Sequence, residues 1–246
     1  MKKYFTAFQM TQSMFCSIPF PCRQWDENSR PYMMFFLPVI GLEIGIFWYL
    51  LDRIAVYFQL PSLLYALIMC AWPYISNGFM HLDGFMDVTD AVYSWRDLEK
   101  RRQILKDSHV GSFSVVWCIF LILAGFAAFG AAAVESKECL LLIPVISRCC
   151  SALAVMNLKP MSTSQYAGTK AYPKWHTAII ILFLILSIGG SFTVLGKYAL
   201  PFLGVVIGYG AALRKAYQSL QGMNGDISGF CICISELCGM LVLAML

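Results

Sequence analysis

His81, Asp83, Asp87 and Asp90 fall within ten positions in the stretch HLDGFMDVTDAV, residues 81–92. The aspartates are spaced i, i+4 and i+7, so a helix through them sets all three on one face within about two turns. Like charges held that close repel, and a divalent cation between them removes the cost. Carboxylates without thiolate or imidazole as principal ligands favour a hard ion, and Mg²⁺, partly hydrated and shared with phosphate oxygens, is the usual case. Gly84 leaves the backbone open beside the carboxylate face. His81 is suited to act as a general base or to orient a metal-bound water, with a helix-start histidine bonded to backbone as the structural alternative. The plainer reading of the aspartates is a solvated loop start. Their neighbours are Leu82, Phe85, Met86 and Val88, with no Lys or Arg among them, and acids in such company at a membrane boundary point to function.

Two further polar stretches carry candidates. RRQILKDSHVGSF, residues 101–113, offers Lys106 as a catalytic or phosphate-binding cation, Asp107 and Ser108 as substrate contacts, and Gly111 for close backbone approach. The basic run from Arg96 to Arg102 reads equally as a phosphate site or a topological anchor. QGMNGDISG, residues 221–229, sets Asn224, Asp226 and Ser228 among glycines, a loop form that brings an oxygen ligand to a metal or a donor to phosphate. Glu43 lies in an apolar run, where an ionisable group is costly and faces a polar interior; it is a candidate fourth metal ligand beside Asp83, Asp87 and Asp90. Arg148 and Glu236, also within apolar runs, are candidates to pair with each other. For Asp107 a turn or capping role competes with any catalytic one.

The elements that position these groups are membrane helices. Hydrophobic residues make up 59% of the 246 positions, charged residues 13%, and the mean hydropathy is +0.67, outside the range of a solvated globular domain. Apolar stretches near 33–52, 54–76, 111–134, 140–158, 176–196, 198–213 and 230–246 predict an all-α, polytopic bundle of about seven transmembrane helices forming a single domain over 1–246, given the ~20 residues a span needs. The N-terminal 25 residues lack the apolar core of a secretory signal and are expected to lie along the membrane surface. Fourteen of the 18 basic residues fall in the segments before 33, 77–110, 159–175 and 214–229, which seven spans would gather on one face, cytoplasmic by the positive-inside rule. Arg53, Lys137 and Lys197 fall opposite. The polar chemistry therefore belongs to the cytoplasmic face, with 77–110 as the catalytic loop.

Of ten cysteines, Cys70, Cys118, Cys149, Cys150, Cys231, Cys233 and Cys238 lie in apolar stretches and read as small buried hydrophobes. Cys16 and Cys22 on the cytoplasmic side are expected to be reduced. Cys231, Cys233 and Cys238 lack the further ligands of a zinc site. The net charge of +4 gives no argument for nucleic acid.

With these motifs in order, HLDGFMDVTDAV, LKDSHVGSF, GMNGDISG and the apolar ISELCGMLVLAML, supported by FLPVIGLEIG and IPFP, the chain resembles the cobalamin synthase family over nearly its whole length. The resemblance implies an integral-membrane adenosylcobinamide-GDP ribazoletransferase. Such an enzyme joins α-ribazole or its 5′-phosphate to adenosylcobinamide-GDP with Mg²⁺, giving adenosylcobalamin or its 5′-phosphate and GMP. In that reaction Asp83, Asp87 and Asp90 would hold the ion. Family members more often carry smaller residues at Phe85-Met86, a glycine near Ala91 and an arginine at His109, so Lys106 or another cation would compensate here.

Other classes compete on the residues alone. A CDP-alcohol phosphotransferase needs an Ala-Arg step after Asp-Gly, and a prenyltransferase needs two aspartate-rich repeats; neither is present. A transporter lined by Glu43, Arg148 and Glu236 would show an inverted repeat, and none is visible. Implied partners are the two small-molecule substrates and the bilayer of the cytoplasmic membrane; a homo-oligomer stays open.

Overall fold

The computed structural model describes residues 2–20, 25–131, 137–161, 164 and 172–246. Cys22, Arg23 and Lys170 lie outside the described residues. Among the described residues ten α-helices follow in order: α1 (Lys2–Phe15), α2 (Met33–Tyr57), α3 (Ser62–Ile75), α4 (Met80–Tyr93), α5 (Leu98–Ile104), α6 (Ser112–Ala131), α7 (Cys139–Asn157), α8 (Lys174–Leu195), α9 (Leu200–Leu220) and α10 (Gly225–Ala244). No strand occurs among the described residues; one isolated bridge joins Pro160 to Met223.

Among the described residues five continuous helical segments are long and apolar enough to cross a bilayer, and α3 with α4, bent by 83°, makes a sixth when the pair is counted as one span. The segment Lys174–Leu220 holds 47 residues, about 70 Å of helix at 1.5 Å per residue against a ~30 Å core. It comprises α8 and α9 about the 3-10 turn Gly196–Ala199. Its two ends return to one side of the bundle. Asn157 at the end of α7 reaches Thr177 in α8, and Met161, just beyond α7, donates its N–H to the carbonyl of Met223 beyond α9 at 2.9 Å. With α8 and α9 counted separately the total is about seven, as the hydropathy predicts.

Boundaries differ where local chemistry overrides hydropathy. Residues 54–57 continue α2, because nothing breaks the helix before Phe58, and α3 starts only after Pro61 and runs 14 residues. The α9 helix continues to Leu220. Asn224 caps α10, its side chain accepting from the Ile227 N–H at 2.9 Å, so GDISG is the first turn of a helix rather than a loop. The N-terminal helix α1 is docked on the bundle: Thr11 Oγ1 donates to the Met33 carbonyl at 3.1 Å, and Ser17 donates through its N–H to Ser76 O at 2.8 Å and through Oγ to Ile75 O at 2.7 Å.

Close helix packing rests on glycines four apart, the small-xxx-small pattern of membrane interfaces. A Cβ on Gly41 would lie 2.5 Å from the Pro144 carbonyl oxygen, and one on Gly45 would overlap the Leu141 carbonyl, so α2 meets the backbone of α7 directly. Two buried ionic clusters reinforce the bundle. Arg148 on α7 pairs with Glu236 on α10, as their sequence positions suggest, and Ser147 Oγ donates to the same carboxylate at 2.8 Å. Fully buried Asp52 on α2 accepts from Arg53 Nε and Tyr65 Oη, each at 2.8 Å, and lies 3.5 Å from Lys137 Nζ.

Gly41→Val is expected to destabilise the fold by about 1–3 kcal/mol, measured as a lower temperature for loss of monodisperse elution. Gly189→Ala, whose Cβ would meet nothing within 4 Å, should leave that temperature unchanged.

Candidate active site

The aspartates of α4 and Asp226 are brought to one region where α4 crosses the start of α10. A Cβ on Gly84 would lie 2.9 Å from the backbone of Asp226, and one on Gly229 would lie 3.0 Å from the backbone of His81. Each helix contributes the glycine that admits the other's functional residue, and Phe85 stacks on Phe230 beside them at 5.6 Å. The entry to α4 is a tight turn: Gly78 and Phe79 both have left-handed backbone, φ 62° and 64°. The Asn77-Gly78 pair is the sequence signal for that turn. It breaks the axis by 83°, which places Asp83, Asp87 and Asp90 over α10 rather than along the α3 axis.

As the i, i+4, i+7 spacing predicts, α4 carries all three aspartates. The charges of Asp83, Asp226 and Asp90 all act on the Asp87 carboxyl, and that of Asp83 acts on Asp226. No ion pair neutralises any of the four among the described residues. Asn224 Nδ2 donates to Asp226 Oδ2 at 2.6 Å, which aims this carboxylate while the same amide's oxygen caps the helix. Asp90 is turned toward the start of α6. Its Oδ1 accepts from the Ser114 N–H at 3.4 Å, and its carboxylate lies so close to Gly111 that a Cβ there would overlap it. It thereby anchors the start of α6, and with it the KDSHVGS loop, to α4.

His81 is buried, and its tautomer follows from Asn77, a residue the sequence reading passed over. Asn77 Nδ2 donates to the Pro73 carbonyl at 2.6 Å, and its Oδ1 takes the His81 N–H at 3.4 Å, which sets the direction of the amide. The nitrogen facing His81 Nδ1 at 3.1 Å is therefore a donor. Nδ1 accepts, and in the neutral ring the proton sits on Nε2. Beside His81 opens a chamber of about 220 Å³. His81, Asp83, Asp226 and Ser228 line its polar side; Phe15, Met34, Leu37 and Ile232 are among its apolar walls. Ser228 Oγ is held by Ser151 Oγ at 2.5 Å.

The remaining candidates lie apart from this centre. Lys106, Asp107 and Ser108 are exposed between α5 and α6, and no hydrogen bond joins them to the carboxylates. Asp107 accepts from its own loop, from the His109 N–H at 3.1 Å and at 2.6 Å from the ring. That bond holds the Asp107 carboxyl below its usual range and raises His109. Glu43 is half-buried on α2 and does not line the chamber; its charge, with that of Arg148, reaches Cys16. Arg102 caps the last turn of α9, donating to Leu220 O at 3.0 Å and Gln221 O at 2.9 Å, and Arg101 reaches Ser219 O at 3.4 Å. Cys231, Cys233 and Cys238 are free thiols packed within α10. Among the described residues no three His, Cys, Asp or Glu side chains converge as a preformed metal cage.

The family model described as cobalamin-5-phosphate synthase matches residues 7–244. A protein of Clostridium perfringens (strain SM101 / Type A) is 34% identical over 100% of both chains. One of Clostridium botulinum (strain Alaska E43 / Type E3) is 34% identical over 98% of this chain and 97% of its own. One of Lachnoclostridium phytofermentans is 28% identical over 96% and 92%. Each of the three is named adenosylcobinamide-GDP ribazoletransferase. No solved structure matches the chain. An all-α membrane bundle with this motif order, matched along its length by these relatives, belongs to the cobalamin-5-phosphate synthase family and is a transferase of cobalamin biosynthesis.

Proposed function

We propose that the chain joins α-ribazole, or its 5′-phosphate, to adenosylcobinamide-GDP and releases GMP, at a site facing the cytoplasm from the cytoplasmic membrane. The observation that carries this reading is the group of four carboxylates, Asp83, Asp87, Asp90 and Asp226, held together by Gly84 and Gly229 with no cation paired to them among the described residues. All-oxygen donors of one charge suit Mg²⁺, which accepts a partial protein shell and completes it with water and phosphate oxygens; a preformed cage is not needed. Asp83, Asp87 and Asp226 would hold it; Asp90, a further candidate on the same helix, has its carboxylate against Gly111 and Ser114. Glu43 is a more remote candidate. Bound there, the ion would neutralise a diphosphate and the departing GMP.

In this reaction the hydroxyl of the acceptor attacks the phosphorus that stays with the corrinoid, and the bond from that phosphorus to GMP breaks. The hydroxyl proton passes to a carboxylate of the cluster. His81, with its proton on Nε2, donates a hydrogen bond and orients the acceptor oxygen or a water; it takes up a proton as a base only if the Asn77 bond is first given up. Lys106 and Ser108, on the loop that Asp90 anchors, would meet the nucleotide phosphates, and Asn224 keeps Asp226 aimed. A transport pathway is less well supported, because Arg148 and Glu236 pair with each other.

Purified protein in lipid is expected to release GMP from adenosylcobinamide-GDP only with acceptor and Mg²⁺ both present; acceptor-independent release, or none, would overturn the reaction. Asp87→Asn should lower kcat/KM by about 100-fold or more, and near-normal turnover would remove Asp87 from the ion's ligands. A reporter active only in the cytoplasm should work when fused after residue 98 and fail after residue 137; the reverse would invert the topology.

A further inference from the structure

We infer that the chamber beside Asp83 and Asp226 receives the flat, uncharged aromatic base of the acceptor nucleoside, and that the N-terminal helix α1 forms part of that subsite. The inference rests on the reaction proposed above and goes beyond it in dividing the two substrates between two places. Size is the first argument. At about 220 Å³ the chamber falls below the ~300–1,000 Å³ of sites that enclose drug-sized ligands. A corrinoid macrocycle does not enter it; a bicyclic base does.

Charge is the second argument. No Lys or Arg lines the chamber among the described residues, and two aspartates do, so a diphosphate would meet only the ion held at the aspartate edge, and the rest of the chamber offers an anion nothing. An all-hydrocarbon occupant is equally mismatched, because it would cover His81, Asp83, Asp226 and Ser228 without satisfying them. The occupant that fits has an apolar ring at one end and hydroxyls at the other. A nucleoside with an apolar base has that form.

The wall chemistry is the third. Met14, Met34 and Met80 line the chamber together with Phe15, and sulfur at the edge of an aromatic ring is a favourable contact that adapts to ring shape. His81 and Ser228 line the same chamber and would offer the ribose a ring N–H and a hydroxyl, beside the carboxylates at which the acceptor hydroxyl would react. Met14 and Phe15 belong to α1, so the hydrogen bonds from Thr11 and Ser17 that dock this helix also complete the chamber.

The test fills the chamber from two sides without touching the carboxylates. Met14→Trp changes a partly exposed position on α1, and Val155→Phe intrudes from α7. In full-length protein in lipid, GMP release is measured with α-ribazole and adenosylcobinamide-GDP varied in turn, and α-ribazole binding is measured by calorimetry. For both variants the acceptor KM is expected to rise about tenfold or more, calorimetric binding of α-ribazole to weaken in parallel, and the KM for adenosylcobinamide-GDP to stay within about twofold. An unchanged acceptor KM in either variant that elutes as the wild type does, or a rise in the other substrate's KM instead, would overturn the assignment. If the wild type releases no GMP, the proposed reaction fails by itself. Calorimetry then decides the chamber separately: α-ribazole binding that both variants lose supports it, and an unfilled wild type refutes it.

Discussion

The contact on which the site depends is the backbone-to-backbone approach of α4 and α10. Two helices with ordinary side chains between them keep their axes 8–10 Å apart. Here Gly84 lies against Asp226 and Gly229 against His81, and a Cβ at either glycine would fall about 3 Å from the opposing backbone. The glycines are reciprocal, one from each helix, so neither helix can slide without a clash. Asp226 is thereby brought to the carboxylate face of α4, although more than a hundred residues separate it from Asp83. Packing alone would not hold four like charges together without strain. The glycine contact keeps the carboxyl groups from relaxing by separation, and in the proposed reaction their repulsion is what a bound cation would relieve.

A chain immersed in hydrocarbon has few polar partners to spare, and the buried charges away from the site are spent on holding helices. Arg148 and Glu236 join α7 to α10, with Ser147 satisfying the same carboxylate. Asp52 gathers Arg53, Tyr65 and Lys137 from α2, α3 and the entry to α7. Eighteen positions separate Met34, which lines the chamber, from Asp52 on the same helix, about 27 Å at 1.5 Å per residue, close to the thickness of a hydrocarbon core. The bundle is thus clamped by ions at one end and by glycines and carboxylates at the other. Removing one partner of either cluster would leave an unpaired charge in the interior, the costly case for a buried pair.

Several devices serve structure and site together. Asn224 caps α10 with its oxygen and aims Asp226 with its nitrogen. Asn77 closes α3 through Pro73 and sets the His81 tautomer. Asp90 begins α6 and fastens the loop of Lys106 and Ser108 to α4. Such double use follows from scarcity: where water is excluded, a side chain that satisfies a helix end and a neighbouring group at once avoids a second buried polar residue. It also explains why α1 is more than an interfacial segment, since its docking bonds complete a wall of the chamber.

Composition and periodicity by themselves determined the class of protein, the apolar helices and the single carboxylate face of α4, because bilayer thickness and the helical repeat act on local sequence. Motif order also pointed to the family. The pairing of Arg148 with Glu236 was legible for a similar reason: two charges in hydrocarbon have few other solutions. Only the tertiary structure decided that Asp226 joins the α4 carboxylates while Glu43 does not line their chamber, that Arg101 and Arg102 cap α9, and that the free nitrogen of His81 bears a proton. Each of these depends on which backbones lie within a few ångströms of one another. Sequence spacing carries that information along one helix, and only packing carries it between two.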